Sequence, residues 1–216
     1  MEKKRGKAVF LFGEMVYQPA LMSRTRTPER LARIQRVLAA RRNDLTLVLA
    51  NIHDPHNVSA IYRSCDAFGV HRVNLYYTHT SFPALGAKSS ASARKWVETV
   101  RCSNAAEMIG GFREKGFQVA STGFNEGARS VTEWDFTKPT AIILGNEHDG
   151  VDQELDDLVP DQLYIPMQGM VQSLNVSVAA AVILFEAWRQ RAAAGMDEPS
   201  LSPEELEELE ALWREK

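Results

Sequence analysis

The chain has 216 residues, 44% of them hydrophobic and 25% charged, with 13 Gly and 9 Pro; this suits one compact globular domain and excludes a collagenous or low-complexity chain. No apolar run approaches the ~20 residues of a membrane-spanning helix, and two cysteines, Cys65 and Cys102, cannot alone build a zinc site. The net charge of -3 hides an asymmetry: residues 1–113 hold 18 Lys/Arg against 8 Asp/Glu, and residues 114–216 hold 7 against 20, which suits a polyanionic partner for the basic half.

The N-terminus begins like a secretory signal, with Lys3, Lys4, Arg5 and Lys7 before an apolar stretch at 8–12. Glu14 then ends that stretch short of the ~7–15 residues of a signal core. A soluble cytoplasmic protein that enters no membrane is expected. Residues 1–26 show no strong period. Thr27-Pro28-Glu29 is a helix start, with Thr at the cap, Pro in the first turn and an acid behind it. Leu31, Ile34, Val37 and Leu38 follow at helical spacing. The other face carries Arg30, Arg33, Arg36, Arg41 and Arg42, and from 24 to 42 seven Arg stand against one acid, Glu29. Such a face is either simply solvated or tracks phosphates.

A strand is expected at 45–50, then a polar loop at 51–57 containing Pro55. Val58, Ile61, Cys65 and Phe68 give a helix over 58–68, closed by Gly69. Strands are expected at 73–77 and 96–100, joined by a Ser/Ala-rich connection, 78–93. A helix at 105–115 closes on Gly116. Strands follow at 117–121 and 140–144, then a short acidic helix at 151–158 and a short strand at 163–165. Residues 175–194 form a long helix, apolar beyond one face and so buried on most sides. Ser202-Pro203-Glu204-Glu205 is a capping box that starts a last helix. The tail from 197 to 216 has 8 acids and 2 bases. Strands alternating with helices indicate a parallel α/β sheet. The expected division is an arm with a basic helix at 1–44, a catalytic domain at 45–195 and an acidic helix at 196–216.

Three segments ask for more than a structural account. Residues 51–63, Asn-Ile-His-Asp-Pro-His-Asn-Val-Ser-Ala-Ile-Tyr-Arg, follow a strand and open a helix, where ligands bind in parallel sheets. Asn57 is a candidate N-cap, and Arg63 lies six residues on, about 240° around the helix. His53 and His56 lack a third ligand nearby, so no metal is expected. Residues 145–150, Gly-Asn-Glu-His-Asp-Gly, place polar side chains between two glycines at a strand end. Neither a P-loop nor a Gly-x-Gly-x-x-Gly fingerprint is present. Residues 165–179 bring Gln172-Ser173-Leu174-Asn175 into the start of the apolar helix, with Ser173 or Asn175 as candidate caps.

In order and spacing these segments resemble motifs 1, 2 and 3 of the SpoU (TrmH-like) family of RNA 2'-O-ribose methyltransferases, within the SPOUT class. The likeness spans roughly residues 27–195 and includes Lys95-Trp96-Val97 and the segment 135–139. It implies an α/β fold, a parallel sheet with flanking helices and a C-terminal deep trefoil knot, carrying terminal helical extensions. It implies S-adenosylmethionine (SAM) as methyl donor, no metal, a homodimer, and tRNA as partner. The branch that it resembles most methylates the ribose of guanosine 18 in the tRNA D-loop. The alternatives are an rRNA 2'-O-ribose methyltransferase and a catalytically silent RNA-binding relative. Many rRNA-directed relatives carry an RNA-binding domain of about 80 residues before the catalytic one; about 44 residues precede the first strand here, which favours the tRNA branch.

Carried over residue by residue, the resemblance makes Arg63, Asn57, Glu147, Ser173 and Asn175 the catalytic set. Thr122, Leu144, Gly145, Ile165, Met167, Ser173 and Leu174 would contact the cofactor. Arg30, Arg33, Arg36, Arg41 and Arg42 would hold RNA.

Overall fold

The computed structural model describes residues 27–85, 93–196 and 198–216. The apolar stretches at 8–12 and 15–17, and 86–92 of the Ser/Ala-rich connection, lie outside the described residues. Among the described residues seven strands form one sheet: β1 (Arg42–Ala50), β2 (Val70–Tyr76), β3 (Glu98–Cys102), β4 (Gln118–Thr122), β5 (Arg129–Ser130), β6 (Thr140–Leu144) and β7 (Gln162–Tyr164). Their order is β3-β2-β1-β6-β4-β7-β5, and every neighbouring pair is parallel. The central strands β1 and β6 are apolar runs without alternation because helices cover both faces.

On one face, α2 (Pro55–Ala67) and α5 (Val176–Ala193) pack through Ile61, Tyr62, Cys65, Ile183, Leu184 and Ala187. On the other, α3 (Ala105–Glu114) and α4 (Gln153–Leu158) cover Val48, Val119 and Ile143 with Met108, Ile109 and Leu155. Arg191, buried near the end of α5, ties that helix to the amino edge of the sheet. Its guanidinium donates to Asp44 Oδ1 at 2.7 Å and to the Phe136 carbonyl at 2.8 Å. The helix start at Asn175 is thereby held at the carboxyl ends of the strands.

The terminal helices α1 (Pro28–Ala39) and α6 (Pro203–Glu215) pack on each other. Ile34, Leu38 and Trp213 form a small separate core, with Trp96 against it. Thr27 caps α1, accepting from the Arg30 amide, and Ser202 and Glu205 form the expected capping box on α6. The α6 acids Glu204, Glu207 and Glu208 face solvent while Leu206, Leu209 and Trp213 pack inward.

Several boundaries differ from expectation. The helix expected from 58 starts at Pro55, because Asp54 and not Asn57 is its cap, accepting from the His56 amide at 2.7 Å. The strand expected at 96–100 lies at Glu98–Cys102, since Ala93–Lys95 takes a 3-10 turn first. The strand expected at 45–50 begins three residues earlier, at Arg42, through a register shift between Arg42 and Thr46. The two-residue strand β5 was not expected, and two residues carry no periodic signal.

Arg41 is a correction. It does not lie on the exposed face of α1 but is fully buried, paired with Asp66, donating to the Val70 carbonyl at 3.0 Å and stacked on Trp213. The Arg42 guanidinium bonds the carbonyls of Met196 and Glu198. Arg41→Ala is therefore expected to act on stability, by ~3 kcal/mol, the scale for breaking a buried ion pair. Urea unfolding checks this; a loss below about 0.5 kcal/mol, the size of an ordinary surface change, would contradict it.

Candidate active site

The three segments meet at the carboxyl ends of β1, β6 and β7. Asn57, in the first turn of α2, is 7% exposed. Its side-chain amide donates to Glu147 Oε1 at 2.5 Å, and its Oδ1 accepts from Asn175 Nδ2 at 3.0 Å. Asn175 is also the cap of α5, its Oδ1 accepting from the Ser177 amide at 2.9 Å and from the Ser177 hydroxyl at 2.7 Å. One residue from each segment thus joins a single chain of hydrogen bonds across 118 residues of sequence. Such a chain fixes each member's orientation.

Glu147 reaches Asn57 because its loop is tightly folded. The Asn146 amide donates to the Gly150 carbonyl at 2.8 Å, and Asn146 Oδ1 accepts from the His148 and Asp149 amides at 2.8 and 2.7 Å. Gly150 has φ +73°, and a Cβ on Gly145 would stand 2.1 Å from the Gly150 carbonyl carbon. Both glycines are required by this turn.

Beside the network lies a cavity of about 480 Å³, within the range of small-molecule sites. Thr122, Leu144, Gly145, Ile165, Met167, Ser173 and Leu174, the seven residues expected to contact a cofactor, all line it. Glu147 and Asn175 do as well. Leu163, Val176 and Ile183 give it an apolar side, and backbone of the Gly145–Gly150 turn a polar one. Behind the site, the Tyr77 hydroxyl donates to the Ile52 carbonyl at 2.9 Å; burial raises its pKa, with Tyr62 and Glu147 adding to the shift, so it remains a neutral donor.

Arg63 is placed differently. It is exposed, six residues beyond Asn57 on α2 and so about 9 Å along the helix, and it is not part of the cavity lining. His53 and His56 are exposed, and among the described residues no three His, Cys, Asp or Glu side chains converge as a metal cage. Arg30, Arg33 and Arg36 lie exposed on α1.

Asn51 opens the first segment, and the sequence gives it no role. It is buried with φ +49°; its amide nitrogen donates to Asp152 Oδ2 at 2.7 Å, and its Oδ1 accepts from the Thr78 amide at 3.0 Å. It ties the ends of β1 and β2 to the start of α4. A lone Asn after an apolar run tolerates the left-handed region, and that was the available signal. Phe124 and Tyr164, whose rings lie 5.9 Å apart, also line the cavity, and nothing in their local pattern marked them.

The model of the SpoU rRNA Methylase family matches residues 44–185. A Thermus thermophilus protein named tRNA (guanosine(18)-2'-O)-methyltransferase is 46% identical over 194 residues, 89% of this chain and 100% of its own. The Escherichia coli protein of the same name is 42% identical over 82% of this chain and 78% of its own. A Vibrio parahaemolyticus 23S rRNA (guanosine-2'-O-)-methyltransferase is 36% identical over 74% of this chain and 65% of its own. The crystal structure of the A. aeolicus TrmH/SpoU tRNA modifying enzyme superposes with a TM-score of 0.80 at 38% identity, covering 87% of this chain and 95% of that one. The Streptomyces viridochromogenes SpoU methyltransferase AviRb, in complex with the cofactor AdoMet, does so at 0.63 and 28% identity, covering 72% and 64%.

Proposed function

The chain belongs to the SpoU rRNA Methylase family, and we infer that it methylates the ribose 2'-hydroxyl of guanosine 18 in the D-loop of tRNA with SAM as donor. The observation that carries the reading is the hydrogen-bonded convergence of Asn57, Glu147 and Asn175 beside a cavity that Glu147, Asn175 and the seven residues proposed for the cofactor line. The tRNA target rests on relatives of that name aligned over most of this chain. The rRNA reading has less support, since this chain spans 65% of the length of the Vibrio rRNA relative. Labelled SAM should transfer one methyl group to a tRNA transcript and none to the same tRNA carrying 2'-deoxyguanosine at position 18. Equal labelling of both would overturn the target atom.

The cavity fits the cofactor: its apolar side suits an adenosine, and its turn backbone suits polar edges. Thr122, Leu144, Gly145, Ile165, Met167, Ser173 and Leu174 would hold it. SAM supplies a methyl group on a sulfonium, open to in-line attack. The residues of this chain supply position and charge. Asn57, bonded to both, holds Glu147 and Asn175 in the cavity wall. Arg63 offers a fixed cation to the alkoxide developing at the 2'-oxygen. A guanidinium stays protonated, so the proton leaves to an RNA phosphate or to water.

A second copy of the chain completes the site in this reading. Val178, Phe185 and Trp188 on α5 are 48%, 50% and 52% exposed, an apolar stripe beside α2 that a homodimer would cover. Sedimentation should find a dimer at low micromolar concentration; a stable, active monomer there would contradict this. A trefoil knot belongs to the same reading and rests on the family resemblance. We place the arm and basic helix at 1–44, the catalytic domain at 45–195 and the acidic helix at 196–216, with the cytoplasm as compartment.

In the same reading, Arg30, Arg33 and Arg36 hold tRNA phosphates. Arg33→Ala with Arg36→Ala removes two contacts, each adding about 0.7–0.9 to the slope of log K against log salt. The slope should flatten by roughly 1.4–1.8, and KM should rise more than kcat falls. An unchanged slope and affinity would return α1 to a solvated face.

A further inference from the structure

A second cavity, about 320 Å³, opens between α1 and the packed terminal helix, lined by Arg30, Arg33, Val37, Asp66, Trp96 and Trp213. Buried Trp213 and half-buried Trp96 meet with ring centroids 4.8 Å apart at 58°. Arg41 covers the face of Trp213, so the ring with surface left open is Trp96. Cations surround it. Arg30 and Arg33 are neighbours one helical turn apart, and neither makes an ion pair among the described residues. The Lys216 ammonium lies 5.9 Å from both ring centroids. The one carboxylate in the lining, Asp66, is already paired with Arg41.

Resting on the tRNA reading above, we propose that this cavity takes one unpaired nucleotide of the tRNA, its base against Trp96 and its phosphates on Arg30 and Arg33. Flat bases stack on aromatic side chains while cations track the backbone, the combination by which single-stranded nucleic acid is held. The nucleotide is not the one methylated. The cavity shares no lining residue with the cofactor cavity, and Asp66 lies one helical turn beyond Arg63 on α2, so the nucleotide taken here stands close to the methylated one. Residues 1–26 of the same chain are a poorer occupant, because Lys3, Lys4, Arg5 and Lys7 would be brought against Arg30 and Arg33.

The test uses full-length chain with Trp96→Leu and Trp96→Phe, measuring tRNA affinity, methyl transfer and SAM affinity. Trp96→Leu should weaken tRNA binding at least about fivefold, the low end for a lost base stack. It should raise KM with kcat and SAM affinity unchanged, and leave the salt slope unchanged because no phosphate contact is lost. Trp96→Phe should retain most of the affinity. Wild-type tRNA binding by Trp96→Leu would overturn the proposal, whatever else fills the cavity. Equal losses in both variants would overturn it too, since they report packing of α1 on α6. If Trp96→Leu does not fold, ultraviolet cross-linking of tRNA to the wild-type chain decides: an adduct on the peptide carrying Trp96 supports the proposal, and its absence overturns it. A wild-type chain that binds tRNA and transfers no methyl group would overturn the reaction instead, leaving the cavity's role standing on the binding data.

Discussion

Arg63→Ala should lower the rate of methyl transfer by about 10²–10³, the usual loss when one preorganised charge at a developing oxyanion is removed, while SAM binding stays nearly unchanged. The separation follows from position. The residues proposed to hold the cofactor line a cavity formed by the ends of β4, β6 and β7 and the start of α5, and Arg63 is on the exposed side of α2, outside that lining. In the proposed reading its charge acts on the ribose and not on the cofactor. Single-turnover transfer and calorimetry together check this. If SAM affinity falls as far as the rate, the assignment of Arg63 to the ribose is wrong.

Gly145→Ala should do the opposite, striking cofactor binding first. The added methyl carbon would stand 2.1 Å from the Gly150 carbonyl carbon and 2.4 Å from the Val151 nitrogen. Both are backbone atoms of the same turn, which the Asn146 hydrogen bonds hold closed, so no flexible side chain can give way. The turn must open, moving the cavity wall and drawing Glu147 from Asn57. Overpacking of this kind costs about 1–3 kcal/mol, or roughly 5- to 150-fold in SAM affinity if the distortion is confined to the turn. Calorimetric affinity within about twofold of wild type would show that the turn accommodates the methyl group.

The site was more legible than its surroundings. Polar residues that interrupt apolar runs at strand ends, Asn57, Glu147 and Asn175, are costly there without partners, and they found one another. The terminal helices were readable from Thr-Pro-Glu and Ser-Pro-Glu-Glu because capping is local. The Asp54-Pro55 pair carries the same signal, and it rather than Asn57 starts α2. What was not legible depends on distant residues. Arg41 sits among arginines in sequence, and its burial is decided by Asp66 and by Trp213, 172 positions on. The packing of α1 on α6 likewise joins the two ends of the described chain. The apolar excess of α5 predicted burial on most sides, whereas Phe185 and Trp188 are half exposed in a single chain.

The reaction proposed for this site is methylation of one ribose, that of guanosine 18 in tRNA. Mass spectrometry of nuclease-digested tRNA from cells with and without the gene tests it most directly. 2'-O-methylguanosine at position 18 should disappear on deletion, return with the wild-type chain and fail to return with Arg63→Ala. Unchanged methylation at position 18 in the deletion strain, with loss of a ribose methyl group from rRNA, would contradict it.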